Sequence, residues 1–445
     1  MVGGGSVAVV GGSIAGCAVA LAVARGGAER VTVFERAAGA LQKRGTGVTL
    51  HSSRYGELEA AGYVDAAMPW GELRRRVWTV RDGEAPLGRA IAAQPFPFRA
   101  YAWGSLWREL RRRVPESVVY RPDAAVCALE PDADGVTVQL AGGERERFDA
   151  VVGADGYRSV VRETMFPGLL PEYSGYLGWR GSSPAPWGRG PRGAGRDGTA
   201  AESASVTGVT DVMDAMDVAG AADVAAAGGA VDVMDARTVV FPGGHCVMYR
   251  IPGAGHGDPL NWVLYTVPPQ LPGPQQDLRT PVSLPPGALA PELTGYLRDL
   301  VARNFPPYWA ECVLRTPVES TLIQPIYDLE VPHYAAGRLL LAGDAATVAR
   351  PHIGGGSVKA LQDAWSLETA WRAGGDWREV LDAYDADRTA VGATLVGLGR
   401  RLGRAQVEET PDWSAMREAD LEAWWQEQHR GSDRTSGFGG HAVSR

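Results

Sequence analysis

The chain has 445 residues, 45% of them hydrophobic and 22% charged, with a formal net charge of -8. That length points to two domains, one of them assembled from non-adjacent segments. An acidic balance without any Lys/Arg-rich run argues against nucleic-acid binding, and no apolar run reaches the roughly 18 residues that a membrane span needs.

In chain order, Met1 to Gly12 has neither the basic nor the apolar part of a secretory signal, so a cytoplasmic protein is expected. Ser6 to Val10 reads as an apolar strand, Ile14 to about Arg25 as an Ala/Val-rich helix, and Val31 to Phe34 as a second strand. Together they make a βαβ unit. Within it Gly11 stands at the tight turn and Gly16 where helix and strand must approach. The N–H groups around Ser13, Ile14 and Ala15 then face outward, as a pyrophosphate site requires. Ser13 takes the middle position of the G-x-G-x-x-G pattern, with Gly12 beside it keeping the backbone accessible. Glu35, followed by Arg36, closes the second strand, where a carboxylate accepts hydrogen bonds from a ribose diol. These features predict a dinucleotide site and leave FAD and NAD open. The plain alternative is a Gly-rich turn that only tightens an α/β unit.

Further along, SLWRELRRRV is a helix whose arginines, Arg108 and Arg111 to Arg113, read as a solvated face, with Trp103 and Trp107 as core. Ser117 to Leu140 alternates as an antiparallel hairpin or meander would. Phe148 to Gly153 and Arg338 to Ala342 are short apolar strands, each ending in a Gly/Asp turn: Asp155 and Gly156 in DGYRSVVR, Gly343 and Asp344 in LLAGDAA. A carboxylate at such a strand end can bind a ribityl hydroxyl, and the glycines Gly354, Gly355 and Gly356 offer unhindered N–H donors to a flavin carbonyl or phosphate. Trp179 to Met234 is rich in small and acidic residues, repeats DVMDA at Asp211 and Asp232, and reads as an inserted loop. Thr238 to Val240, Cys246 to Ile251 and Trp262 to Thr266 read as strands of a mixed sheet, and the chain is helical from Asp363 to about Gly403. The end, from Ser432, reads as frayed, and Trp413, Trp424 and Trp425 before it suit a segment that contacts another subunit or, as is more usual, folds back on its own core. Cys17, Cys127, Cys246 and Cys312 lack metal or disulfide spacing and read as small buried hydrophobes, so no metal is expected.

The three Gly-rich motifs carry a resemblance. The chain resembles the single-component aromatic hydroxylases of the para-hydroxybenzoate hydroxylase family, and within it the subgroup of 2,6-dihydroxypyridine hydroxylase, through RPHIGGGSVKALQDA, VVGGSIAG, RGTGV (with Arg44 and Gly45) and GYLGWRG. The resemblance implies an α/β fold: a Rossmann-like FAD-binding domain over 1–75, 101–170 and 318–405, and an α+β substrate domain on a mixed β-sheet over 76–100 and 171–317. An insert at about 186–236 and a C-terminal helical segment over 406–445 complete that division. It also implies bound FAD, transient NADPH or NADH, and O2 as co-substrate. The implied reaction hydroxylates a small electron-rich aromatic or heteroaromatic substrate through a flavin C4a-hydroperoxide; decarboxylative hydroxylation, ring expansion, dehydrogenation or a non-catalytic redox sensor are the alternatives. A monomer or homodimer and a place in secondary metabolism fit the same picture.

In the family the first motif binds the ADP half of FAD, the DG motif is associated with both FAD and NAD(P)H, and the Asp of the GD motif binds the ribityl chain. The start of the GD helix lies by the isoalloxazine, which makes Pro351 and His352 the catalytic candidates; His352 is equally a structural hydrogen-bonder. Trp179, Arg180, His245 and Tyr249 are candidates to line the substrate pocket, Arg180 by pairing with an anion. The chain departs from the family at Thr347, where most members carry His, at Gly355, Gly356 and Val358, and at Trp103, where the family helix begins with Arg.

Overall fold

The computed structural model describes residues 5–39, 41, 47–184, 232, 234–253, 258–270, 278–279 and 284–430. Arg44, Gly45, most of the insert and the tail from 431 lie outside the described residues. The elements run β1 (Ser6–Val10), α1 (Ile14–Gly26), β2 (Arg30–Phe34), β3 (Gly47–His51), α2 (Ser52–Ala60), β4 (Gly71–Val80), β5 (Arg89–Ala102), α3 (Trp103–Arg113) and β6 (Val119–Arg121). Then follow β7 (Val126–Pro131), β8 (Val136–Leu140), β9 (Arg145–Phe148), β10 (Ala150–Gly153), α4 (Val160–Met165), β11 (Glu172–Ser183), β12 (Asp235–Phe241), β13 (Gly244–Arg250) and β14 (Leu260–Thr266). The chain closes with α5 (Pro291–Asn304), α6 (Pro307–Leu314), β15 (Leu322–Asp328), β16 (Ala335–Ala336), β17 (Leu339–Leu341), α7 (Gly356–Ala373), α8 (Trp377–Gly403) and α9 (Glu418–Gln428).

The first sheet has the order β16-β17-β10-β1-β2-β6 and is parallel except at β16. A parallel sheet needs both faces covered, and β1, β2, β10 and β17 are apolar along nearly their whole length. Helix α1 is buried almost all round, from Ile14 to Val23, because α7 lies on its other side. Small residues allow that closeness: a Cβ on Gly26 would stand 2.8 Å from the Trp371 ring. β7, β8 and β9 form a small antiparallel sheet. β6 is not part of that meander, as the alternation at 117–140 suggests, but the edge of the parallel sheet, bonded to β2.

The second sheet has eight strands in the order β15-β11-β14-β13-β12-β4-β5-β3. It takes in β3, the start of β4 and β15, segments that the sequence-based boundaries give to the FAD domain. β12 begins at Asp235, so the second DVMDA copy runs into a core strand. One face packs on α5 and α6 through Trp179, Cys246, Met248, Trp262 and Leu264. The opposite face looks toward the GD segment and the C-terminal turn, and holds the site.

The helical run after the GD motif starts at Gly356, before Asp363, and breaks after Ala373. There Gly374 and Gly375 have positive φ and Asp376 starts α8 with a reciprocal capping box to Glu379. The C-terminal segment folds back as expected: Trp413, Trp424 and Trp425 pack around Trp78 of β4. Cys17, Cys246 and Cys312 are buried, but Cys127 is exposed on β7, an edge strand of the small sheet, where alternate residues face water. Among the described residues no helix is long and apolar enough to cross a membrane.

Candidate active site

The first motif is shaped by two close approaches. Gly11 has φ +100°, and a Cβ there would stand 2.4 Å from the Ala154 carbonyl oxygen; a Cβ on Gly16 would stand 1.8 Å from that of Gly11. Ser13 has extended backbone (φ -77°), so no glycine is demanded in the middle position, and its side chain does not cap α1. Gly12 is the hub instead. Its carbonyl accepts from Trp107 Nε1 (2.9 Å) and Tyr120 Oη (3.1 Å), and its N–H donates to Glu35 Oε2 (2.9 Å). Trp107 is thus core and also a support of the turn. Glu35, buried, accepts from the Ala37 N–H through Oε1 (2.8 Å). A carboxylate has about four lone-pair sites, so both oxygens keep capacity for a diol. Ile14 is buried, Ala15 abuts Gly343, and Arg36 is exposed.

The DG and GD segments are fastened together. Ser159 caps α4 by accepting from the Arg162 N–H (3.0 Å), and Asp155 Oδ2 accepts from Val160 N–H (2.8 Å). Asp155 Oδ1 is buried without a hydrogen-bond partner, and burial raises the pKa of that carboxyl. Beside it Gly156 has φ +80° and open space where a Cβ would lie. Arg162 is buried; its Nη1 donates to the Ala345 carbonyl (3.0 Å) and its Nη2 to that of Tyr157 (2.6 Å).

Gly343 is held from below. Its N–H donates to Asp363 Oδ2 (2.8 Å), its carbonyl accepts from Lys359 Nζ (3.0 Å), and Asp363 pairs with Lys359 (2.6 Å) and Arg388 (2.7 Å). Burial alone would lower Lys359 and raise Asp363, but the opposed charges reverse both directions. Asp344, next to this ion triad, is exposed to solvent yet surrounded by protein, the situation of a side chain lining a deep cleft. Its desolvation raises the pKa against the pull of Lys359. Thr347 is buried and accepts from Tyr334 Oη (2.7 Å), and Val358 is core, so these two departures from the family pattern face inward.

Beyond the turn, Pro351–Ile353 forms a 3-10 turn, Gly354 has φ +62°, and Gly355 starts α7 with no side-chain cap. A Cβ on Gly356 would meet nothing within 4 Å. An 18-residue helix therefore presents bare N–H groups to open space. These residues fit FAD: an uncapped turn at α1, an orphan carboxylate oxygen at Asp155, the cleft carboxylate of Asp344 and the open start of α7.

The facing sheet supplies the other wall. Side chains alternate along a strand, so Arg180 faces the site while Trp179, expected beside it in the pocket, turns to the other face. There it is fully buried and stacks on Tyr296 of α5 (6.1 Å). His245 and Tyr249 of β13 share the site face with Arg180 of β11 and with Tyr265 of β14, which pairs in register with His245. His352 is buried among three rings: Tyr176 (5.6 Å), His245 (5.1 Å) and Tyr265 (4.7 Å). Its Nε2 lies 2.6 Å from Tyr176 Oη and its Nδ1 is buried without a partner. Burial lowers the pKa of His245 to about 3 and of His352 well below the usual range, so both imidazoles are neutral.

Sequence reasoning missed Tyr176, Tyr265, Arg76 and Gln406. Gln406 lies in a π-helical turn, Arg404–Glu408, that continues α8 and brings its carbonyl to His245 Nδ1 (3.3 Å). Such single π turns gather at functional sites, but no sequence pattern announces one. Among the described residues no cluster of three or more His, Cys, Asp or Glu is placed to hold a metal ion.

The FAD binding domain family matches residues 5–169 and 298–398, more than half of the chain. A 2,6-dihydroxypyridine 3-monooxygenase of Paenarthrobacter nicotinovorans is 26% identical over 413 residues, covering 89% of this chain and 90% of that protein. A 3-amino-4-hydroxybenzoate 2-monooxygenase of Streptomyces platensis is 29% identical over 375 residues, covering 81% of this chain and 78% of that one. In fold, the chain is similar to the 2,6-dihydroxypyridine-3-hydroxylase of Arthrobacter nicotinovorans, with a TM-score of 0.72, 24% identity and 93% and 96% of the two chains covered.

Proposed function

The chain belongs to the FAD binding domain family, and from that premise we propose that it is a monooxygenase. It takes NADPH or NADH and O2 and places one oxygen atom on a small electron-rich aromatic or heteroaromatic ring. The carrying observation is the pairing of two walls: a cleft lined by Asp344, the turn carrying His352 and the uncapped start of α7, and a sheet face whose His245 meets His352, both imidazoles neutral. Relatives named for hydroxylated pyridine and aminobenzoate rings support the substrate class.

Gly11 to Gly16 and Glu35 would hold the ADP half of FAD, Asp155 and Asp344 the groups toward the ribityl chain, and Gly354 to Gly356 the ring end. Bound FAD supplies hydride uptake from the nicotinamide and the activation of O2. The protein supplies the rest. His352, next to Pro351 and anchored through Nε2 on Tyr176, has only Nδ1 left to offer a ring hydroxyl, which it orients by hydrogen bonding. Tyr249, Ile251, Phe96 and Phe98 make the same sheet face apolar and keep water from the reacting ring.

The test is reconstitution with FAD followed by NADPH or NADH oxidation under air, with and without hydroxypyridines and hydroxybenzoates. Substrate-stimulated oxidation matched by a product one oxygen atom heavier is expected. A purified chain that neither holds nor takes up flavin sinks the reading.

A further inference from the structure

The rings of His245, on β13, and His352, in the turn before α7, have their centres 5.1 Å apart, and both imidazoles are neutral. A neutral imidazole has one N–H and one bare nitrogen, and the partner of either nitrogen decides which is which. In this pair the partners differ in kind.

His245 meets a backbone carbonyl, that of Gln406, at Nδ1 (3.3 Å). A carbonyl only accepts, so the proton of His245 is on Nδ1 and its Nε2 is bare. Gln406 is itself fixed: its Oε1 accepts from Arg76 Nη2 (3.3 Å) and its Nε2 donates to the Leu402 carbonyl (3.2 Å).

His352 meets a phenol instead, with Tyr176 Oη 2.6 Å from Nε2. If Nε2–H donated, the buried phenol proton would be stranded, because no second acceptor for it stands among the described residues. If the phenol donates, its proton is satisfied, and its oxygen keeps lone pairs for the cation beside it. That cation is Arg350, 5.6 Å from the Tyr176 ring centre and held by Asp328 (2.8 Å) and Glu408 (2.6 Å). Gly403 admits both groups: a Cβ there would stand 2.5 Å from Tyr176 Oη and 3.0 Å from Arg350 Nη1. Burial raises the pKa of the phenol, which therefore keeps the proton it donates. A stranded buried donor costs enough to bias the two forms by about tenfold or more. The proton of His352 is then on Nδ1, the nitrogen buried without a protein partner.

Both rings lie where the sheet face meets the GD segment. A Cβ on Gly354, just beyond His352, would stand 3.7 Å from Thr49 Oγ1 and 3.8 Å from the Phe98 ring. The turn carrying His352 thus borders the apolar wall of Phe96, Phe98, Tyr249 and Ile251.

We propose that Tyr176 is a positioning residue that locks His352 in the Nδ1–H form, and that the two histidines read one ring edge as a pair. His352 Nδ1 donates to an acceptor, and His245 Nε2 accepts from a donor beside it. The N–H and C=O of a ring lactam, as in a 2-pyridone, form such an edge. This substrate class rests on the monooxygenase reading of the pocket, whereas the two tautomers rest on contacts within the chain.

15N NMR of the FAD-loaded full chain, labelled at histidine and kept without NAD(P)H, shows which nitrogen of each ring carries the proton. His245→Gln and His352→Gln identify the two signals by their loss. We expect Nδ1–H on both rings. Tyr176→Phe, which keeps the ring and removes the hydroxyl, should shift the His352 ratio about tenfold or more toward Nε2–H and leave His245 unchanged. A wild-type His352 protonated on Nε2, or a ratio that Tyr176→Phe does not move, overturns the lock.

Calorimetry on the same FAD-loaded chain compares 2-pyridone with N-methyl-2-pyridone, which lacks the N–H. The first is expected to bind about tenfold or more tighter, and the gap should close in His245→Phe, or in His245→Leu should the former not fold. Equal binding of the two overturns the pairing, as does a gap that persists without His245, which would be one of size. A chain with both tautomers and the pyridone preference that consumes no reductant supports the pairing and sinks the monooxygenase reading. A chain that takes up no FAD sinks the flavoenzyme reading, and the same two measurements on it decide the pairing.

Discussion

Arg162 of the DG segment donates to the Ala345 carbonyl of the GD turn across 3.0 Å, and to its own neighbour Tyr157 across 2.6 Å. One buried guanidinium thereby sets the spacing between the two segments proposed to hold FAD. Charged buried hydrogen bonds contribute about 1.5–3 kcal/mol each. Arg162→Leu is expected to weaken FAD binding at least about tenfold, or roughly 1.4 kcal/mol, and to lower the melting temperature. A flavin-fluorescence titration measures the first effect; unchanged affinity would show that the two motifs do not depend on this clamp.

Asp344 should matter through contact rather than through folding, since its carboxyl opens to the cleft while Asp363 and Lys359 hold the turn beneath it. Asp344→Ala is expected to cost FAD affinity by about tenfold to a hundredfold, the worth of one charged hydrogen bond. Asp344→Asn should cost less, and neither should unfold the chain. Full affinity in the alanine variant contradicts the assignment.

These motifs were legible because each is a contiguous strand–turn–helix segment. The placement of Gly11, Gly16, Asp155 and Asp344 is local geometry that a short stretch of sequence encodes, and their contacts to FAD are the proposal. Even there Gly12 was underread, because the crowding that requires it comes from Tyr120, more than a hundred residues away. The facing wall was legible only in part. His245, Tyr249, Arg180 and His352 come together, but Trp179 beside Arg180 belongs to the other face, a consequence of strand alternation that reading both as pocket residues ignored. Arg76 and Gln406 could not be read, since sheet order and one π-helical turn bring them to His245.

The buried imidazoles predict an acid limb of instability. The folded pKa of His245, about 3, and that of His352, well below the ordinary value, both lie under the unfolded value of about 6.5. Between the unfolded and folded values the unfolded chain binds more protons. The contribution to stability is therefore complete above about pH 6.5 and is lost as pH falls through that window, on the order of 1 kcal/mol per pH unit per group. Urea unfolding from pH 7 to pH 5 should show this slope in the wild type and a flatter one in His245→Gln. Identical slopes would remove His245 from the account.

The C-terminal fold-back is tested at Trp413, which is 2% exposed and stacks 5.9 Å from Trp78. Replacing a buried Trp by Ala costs about 3–5 kcal/mol. Trp413→Ala should lower stability by that order, because Trp413, Trp424 and Trp425 all pack on the Trp78 ring. A variant that melts like the wild type would mean that the segment from Pro411 onward contributes little to the sheet it covers.

The most direct measurement supplies 18O2 to the FAD-loaded protein with NADPH or NADH and a hydroxypyridine or hydroxybenzoate that stimulates reductant oxidation, and follows the product by mass spectrometry. The account predicts one 18O atom in the product ring, with reductant consumed in proportion. Label appearing only in water or peroxide, or a product oxidised without gaining oxygen, would contradict it.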